Sequence, residues 1–206
     1  MAATLFTIGY TSYPVDDLVA VLGRHTVGAV ADVRSMPFSA VHPEYNRGRI
    51  KERLAAGGIA YVFLGDLLGA RYDDPEVYVG KVVSYDKVSR TETFRRGLSR
   101  LRAGLEKYPV ALMCAEKDPI TCHRMILICR YLRADCRIAH ILSEGRIEPQ
   151  AHAELRLMRL FDLDRPDLLG RTEEERLELA YRAQEKEIAY TCDAREDASA
   201  VECANE

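Results

Sequence analysis

Four residues in one short stretch, Cys114, Cys122, His123 and Arg124, could do chemistry together. Three chemistries suit these types. A thiol beside an imidazole and a guanidinium gains thiolate character, so one cysteine could attack a substrate while the other resolves the intermediate. Arg124 offers a planar fork for phosphate or carboxylate, which would make the stretch one wall of an anion pocket. Cys114, Cys122 and His123 could also ligate a metal. Spacing weighs against the metal, because seven residues separate the two cysteines, whereas paired zinc ligands usually sit about two to four apart. The metal reading therefore ranks third. A bland reading remains for Cys114 alone, as a small buried residue at a strand end. It suits the adjacent Cys122, His123 and Arg124 poorly.

The elements around these residues set their positions. "VALMC" reads as a buried strand ending on Cys114. Thr121 reads as the N-cap of a helix over "TCHRMILICRYLRA", with Cys122, His123 and Arg124 in its first turn. Backbone N–H groups and the dipole there favour an anion and a thiolate. Glu116 and Asp118 lie between, with Asp118-Pro119 as a turn.

The same alternation runs along the chain. "TLFTI", "GAVADV", "IAYVFL" and "CRIAHIL" are four further apolar strands. Helices are expected over "PVDDLVAVLGRH", "NRGRIKERLAAGG" with Asn46 as N-cap, "DPEVYVGKVVSYD" and "TETFRRGLSRLRAGLEKY". Two more close the chain, "PQAHAELRLMRLF" and "TEEERLELAYRAQEKEIAY", the second opening on a Thr172/Glu175 capping box. This pattern predicts a three-layer α/β domain: a mostly parallel sheet of about five strands, helices on both faces, and two C-terminal helices. One domain spans residues 1–190, and a polar acidic tail over 191–206 is expected to be disordered.

Ligands of open parallel sheets bind beyond the carboxyl ends of the strands. The first strand ends near Tyr10 and Ser12, and the second near Asp32, Arg34 and Ser39. Asp32 and Arg34 flank one apolar position. They form either a structural ion pair or an anion clamp in which Asp32 orients Arg34. One site is therefore expected. Cys114, Cys122, His123, Asp32 and Glu116 are its catalytic candidates, and Tyr10, Ser12, Arg34, Ser39, Asn46 and Arg124 its ligand-binding candidates.

The motifs "TIGYTS", "DVRSMPFS", "PEYN", "GIAYVFLGDLLG", "LMCAEKDPITCHR" and "HIL" make the chain resemble the bacterial and archaeal domain of unknown function family 488. The resemblance runs from about Thr4 to Tyr190 and is most specific in the Cys114–Arg124 block. It implies an α/β fold and a shared polar pocket, and it supplies no substrate. The "GDLLG" stretch departs from the Leu-Gly-Gly of many relatives, which leaves Asp66 without an assigned role.

Composition excludes other classes. The 206 residues are 48% hydrophobic with a net charge of -3, enough for one core and without a global pull to nucleic acid. No apolar run approaches the roughly 18 residues of a membrane span. Six cysteines in this length do not make a disulfide scaffold. Arg47, Arg49, Lys51 and Arg53 on one helix, and Arg95, Arg96, Arg100 and Arg102 on another, would suit a phosphate backbone if they shared a side. The expectation is a cytoplasmic thiol-dependent hydrolase or transferase with a small anionic, phosphate- or nucleotide-like ligand and no cofactor. A noncatalytic nucleic-acid or nucleotide-binding module is the alternative, and a metal-binding protein the third.

Overall fold

The computed structural model describes residues 3–166 and 169–192. The expected acidic tail lies outside this range from residue 193 onward. The first half of the chain runs β1 (Thr4–Gly9), α1 (Val15–Arg24), β2 (Ala29–Asp32), α2 (Arg47–Ala56), β3 (Ala60–Phe63) and the single turn α3 (Gly65–Leu68). A hairpin of β4 (Tyr78–Val79) and β5 (Val82–Val83) follows, then α4 (Tyr85–Ser89), α5 (Glu92–Leu105) and β6 (Val110–Cys114). The second half holds β7 (Arg137–Ile141), β8 (Ile147–Pro149), α6 (Gln150–Leu160) and α7 (Glu173–Ile188).

The main sheet has the order β3-β2-β6-β1-β7-β8. All five expected strands lie parallel in it, and β8 joins antiparallel to β7. The sixth strand escapes sequence reading because Ile147–Pro149 is too short to show a period. Every residue of β6 is buried, as a central parallel strand covered on both faces must be.

Side chains alternate across the sheet, and this divides the core in two. Ala111 and Met113 of β6 pack with Leu18, Leu22, Ile50 and Leu54 of α1 and α2. Leu112 and Cys114 pack on the other face with Phe94 and Leu98 of α5 and with Leu157 and Tyr181 of α6 and α7. Each fully buried leucine contributes about 1.5–3 kcal/mol. The α7 capping box is present, with Thr172 and Glu175 each bonded to the other's backbone N–H.

Two expected helices form differently. Residues 74–86 give a short 3-10 turn capped by Asp74, the β4–β5 hairpin, and then α4 capped by Ser84. Val77, Tyr78, Val79, Val82 and Val83 favour strand geometry, and Gly80 supplies the turn's positive φ of 63°. Thr121 is not an N-cap. Asp118 caps a 3-10 turn over Pro119–Thr121, Cys122 is extended, and a wide π-helical turn covers Arg124–Ile128 before a 3-10 turn at Cys129–Tyr131. The Asp118 side chain reaches Ile120 N at 3.1 Å and so captures the role expected of Thr121. Wide turns of this kind recur at functional sites.

Candidate functional site

Cys114 leaves β6 on the face of α5 to α7. The Asp118-capped turn brings the chain back so that Cys122 lies beside it. Both sulfurs contact one oxygen of Glu116, at 2.9 Å from Cys114 and 3.0 Å from Cys122. The His123 ring nitrogen Nδ1 lies 3.7 Å from the Cys114 sulfur and 3.8 Å from the Cys122 sulfur. The two sulfurs and Nδ1 all fall within 4.8 Å of one another, and all three residues are buried. Nε2 of His123 sits 3.0 Å from the Val33 carbonyl. It donates there, which turns Nδ1 toward the sulfurs.

Charge is unevenly shared in this cluster. The neighbouring Cys122 sulfur, then burial, hold the Cys114 thiol well above its usual value. Burial opposes ionisation of Cys122 too, but Cys114, Arg124 and His123 outweigh it and hold that thiol well below. Burial also works against a charged His123, yet Cys122 and Glu116 raise its basicity. Burial and the Cys122 charge raise Glu116.

Arg124 is fully buried, and all three of its guanidinium nitrogens donate inside the protein. Nη1 reaches the Glu116 carbonyl at 2.7 Å, Nη2 the Lys117 carbonyl at 3.1 Å, and Nε the Thr7 hydroxyl at 3.4 Å. It therefore clamps the loop that carries Glu116. Gly9 makes that loop possible, because a Cβ there would run into the Glu116 carbonyl. The loop lies across the end of β1, where Thr11 also bonds the Ala115 carbonyl.

Below Arg124 runs a polar chain that the sequence reading did not find. Thr7 Oγ1 donates to His140 Nδ1 at 2.8 Å, and His140 Nε2 donates to Gln150 Oε1 at 2.8 Å. Gln150 Nε2 then reaches Glu154 at 3.0 Å and the Tyr181 hydroxyl at 2.9 Å. Burial, then the Arg124 charge, push His140 down to about 4, so the ring is neutral. The available signal was a threonine and a histidine inside otherwise apolar strands.

Asp32 and Arg34 lie on the other face of the sheet. Asp32 alternates with Ala31, so it points toward α1 and α2. Its carboxylate accepts from Arg34 Nε at 2.8 Å and Nη2 at 2.6 Å, and from the Tyr61 hydroxyl at 2.8 Å. Arg34 Nη2 also reaches the Tyr45 carbonyl at 2.9 Å, and the guanidinium lies over the Tyr10 ring at 5.1 Å. Tyr10 stacks on Tyr45 at 4.3 Å. Arg34 Nη1 is buried without a hydrogen-bond partner among the described residues.

The single expected crevice is thus two clusters, one on each face. Cys114, Cys122, His123, Glu116 and Arg124 come together, and so do Tyr10, Asp32 and Arg34. Ser39 and Asn46 form neither. Asn46 Oδ1 accepts from Ser39 N at 2.7 Å instead of capping α2, and Ser39 Oγ accepts from His42 N at 3.0 Å. They brace the loop after β2. Ser12 is half-buried at the end of the turn after β1. The two basic sets also separate. Ile50 and Leu54 place α2 in the core on one face, and Phe94 and Leu98 place α5 on the other. No helix among the described residues is long and apolar enough to cross a membrane.

The fold and these clusters define a three-layer α/β protein with a thiol–imidazole–carboxylate centre at the end of a central strand. Residues 14–131 match the model of a family described as domain of unknown function DUF488, and the chain belongs to that family. The match ends at the 3-10 turn after the π-helical residues, so it includes the whole centre. No curated protein and no solved structure matches the chain.

Proposed function

We propose that Cys114, Cys122 and His123 bind a divalent transition metal of the zinc class, with the Glu116 carboxylate beside the two sulfurs. The protein would then act as a hydrolase or transferase on a small anionic substrate. One observation carries the reading: two sulfurs and one imidazole nitrogen come within 4.8 Å of one another inside the protein, with one Glu116 oxygen against both sulfurs. Bonds of about 2.3 Å to sulfur and 2.0 Å to nitrogen in a tetrahedron put those atoms about 3.5 Å apart, and the S···N separations are 3.7 and 3.8 Å. Thiolate and imidazole donors suit zinc. The bond from His123 to Val33 is the kind of outer contact that fixes a ligating imidazole. Two thiolates and a carboxylate carry three negative charges, which a divalent ion and the clamped Arg124 balance. The loop answers the spacing objection by placing Cys122 beside Cys114 in space. A bound ion of this class polarises carbonyl or phosphoryl oxygens or acidifies a bound water.

The test is elemental analysis of protein purified without chelator. About one zinc-class ion per chain is expected, with Cys122→Ser and His123→Ala falling to a small fraction of that. Cobalt loading should add a thiolate-to-metal absorption band. Protein with only trace metal and no cobalt band overturns the reading.

A second reading, thiol-dependent transfer, draws support from the inequality of the two sulfurs, with the Cys122 thiol held well below its usual value beside His123 and Cys114 held well above. In metal-free protein Cys122 should then react with iodoacetamide faster than a free thiol at neutral pH, and equal rates would end it. Either chemistry needs reduced thiols, which is what a cytoplasmic setting provides. The nucleic-acid module has less support, because its two basic helices cover opposite faces.

A further inference from the structure

The main sheet ends on β3, and among the described residues no strand pairs with its outer edge. β3 runs parallel to β2 from Ala60 to Phe63, and Ala60 N and Leu64 N donate to the Gly28 and Asp32 carbonyls on that inner side. Alternation along the strand turns the backbone N–H and C=O groups of Tyr61 and Phe63 the other way, out of the sheet. Among the described residues no backbone group bonds to them. Proteins usually blunt such an edge with lysine, proline or a bulge. The far edge, β8, ends on Pro149, whereas β3 reads Ala-Tyr-Val-Phe. Tyr61 packs on the α1–α2 face, and Val62, on the opposite face, is 38% exposed. Helix α2 adds charge above the edge. Ile50 and Leu54 turn into the core. On one flank of that stripe Arg53 pairs with Asp16 of α1. On the other flank lie Arg47 and Lys51, one turn apart. The Arg47 guanidinium sits 4.4 Å from the centre of the Phe63 ring, so this flank overhangs β3. Among the described residues neither cation has an ion-pair partner.

We propose that the β3 edge and the Arg47–Lys51 flank of α2 dock an extended acidic segment of a partner protein, which adds to the sheet as a further strand. Geometry fixes the pattern of that segment. Side chains of an added strand alternate between two faces. One set meets Arg47 and Lys51 and takes carboxylates, and the other meets Val62 and takes apolar groups. The spacings agree, because four helical residues advance about 6 Å and two strand residues about 6.6 Å. Backbone bonds then supply affinity, and the alternation supplies selectivity. A second copy of this chain fits less well. Two-fold pairing of β3 with itself sets α2 beside α2, so Arg47 and Lys51 would face like charges. A nucleic acid matches the cations but brings no ladder of amides for the edge. The surface stands apart from the Cys114 centre, which lies on the face of α5 to α7, so the proposal is independent of the chemistry there.

The experiment is calorimetric titration of the full chain with a capped hexapeptide of alternating glutamate and valine. Two further versions carry backbone N-methyl groups, one on its glutamates and the other on its valines. Only one of these amide sets can face β3. The parent peptide should bind below millimolar concentration. One methylated version should match it, and the other should bind at least about tenfold more weakly. Exchanging the glutamates for glutamines should cost about tenfold, and so should Arg47→Glu or Lys51→Glu in the protein. Both residues are exposed, so the variants should fold normally. The proposal is overturned if the parent peptide does not bind at millimolar concentration, if the two methylated versions bind alike, or if both charge variants bind like the wild type. It is also overturned if an oligothymidylate of equal charge binds as tightly as the peptide. Light scattering tests the remaining occupant. The chain should run as a monomer, and a dimer that Val62→Lys splits would give the edge to a second copy and overturn the proposal.

Discussion

The two clusters at the strand ends use similar materials and reach opposite states. On the α1–α2 face, Asp32 and Arg34 meet in a two-pronged ion pair, and Tyr61 and the Tyr45 carbonyl take up further bonds. Positive and negative charge are in direct contact. On the other face, the Cys114 and Cys122 thiols share one Glu116 oxygen and lie against His123 Nδ1, while the nearby cation, Arg124, acts on Cys122 through its charge and spends its hydrogen bonds on backbone carbonyls and Thr7. A charged pair bonded within itself locks a fold. Two thiols gathered with an imidazole around one carboxylate oxygen hold protons that something positive can replace. Residue types alone do not separate these outcomes, and the direction of the hydrogen bonds does.

That contrast is easiest to break with Asp32→Ala. The change leaves the Arg34 charge 5% exposed and without its carboxylate. Uncompensated buried charges of this sort cost about 3–5 kcal/mol, or roughly 10 °C in a chain of this size. Chemical denaturation should show the loss, and metal content should stay at the wild-type level. A variant of unchanged stability that had lost its metal would place Asp32 in the centre and merge the two clusters.

The thiol side has its own stability signature through His140. Its folded pKa is about 4, against about 6.5 unfolded. Between those values the unfolded chain binds more protons, so stability rises with pH across that window and falls as the solution is acidified. The full effect is about 3 kcal/mol. Denaturation midpoints measured from pH 7 to pH 4 should drop accordingly, and His140→Gln should flatten the slope. An unchanged slope in the variant would show that the ring is not held neutral under Arg124.

Much of this was legible in the sequence. The parallel strands follow from apolar runs with turn signals, and α7 from its capping box. Cys114, Cys122 and His123 were visible as a group because their types are costly to bury together. What was not legible depended on which way side chains point. Asp32 and Cys114 both end buried strands, and only their places in the alternation of β2 and β6 put them on opposite faces. The spacing argument against a metal failed to foresee a loop that folds back under Asp118 and Arg124. The β4–β5 hairpin was hidden because Asp74-Pro75 opens a turn the way it would open a helix. Thr7, Gln150 and Glu154 drew no notice, since each has an ordinary place in its element.

Smaller effects sharpen the comparison. If the centre holds its ion, a free concentration near a hundred times the dissociation constant stabilises the fold by about 2.7 kcal/mol. Chelator should remove that increment from the wild type and leave Cys122→Ser unmoved, as read by melting temperature with and without chelator. A wild type indifferent to chelator would put both clusters in the same closed class. The smallest change is Tyr61→Phe. It deletes one bond to Asp32 and leaves the ion pair with Arg34 in place. Because Tyr61 is only half-buried, water can take the vacated acceptor site, and the loss should stay near 1 kcal/mol. A loss as large as that of Asp32→Ala would mean that the phenol, rather than the arginine, holds the carboxylate. The closed cluster would then owe its stability to a single hydrogen bond rather than to paired charge.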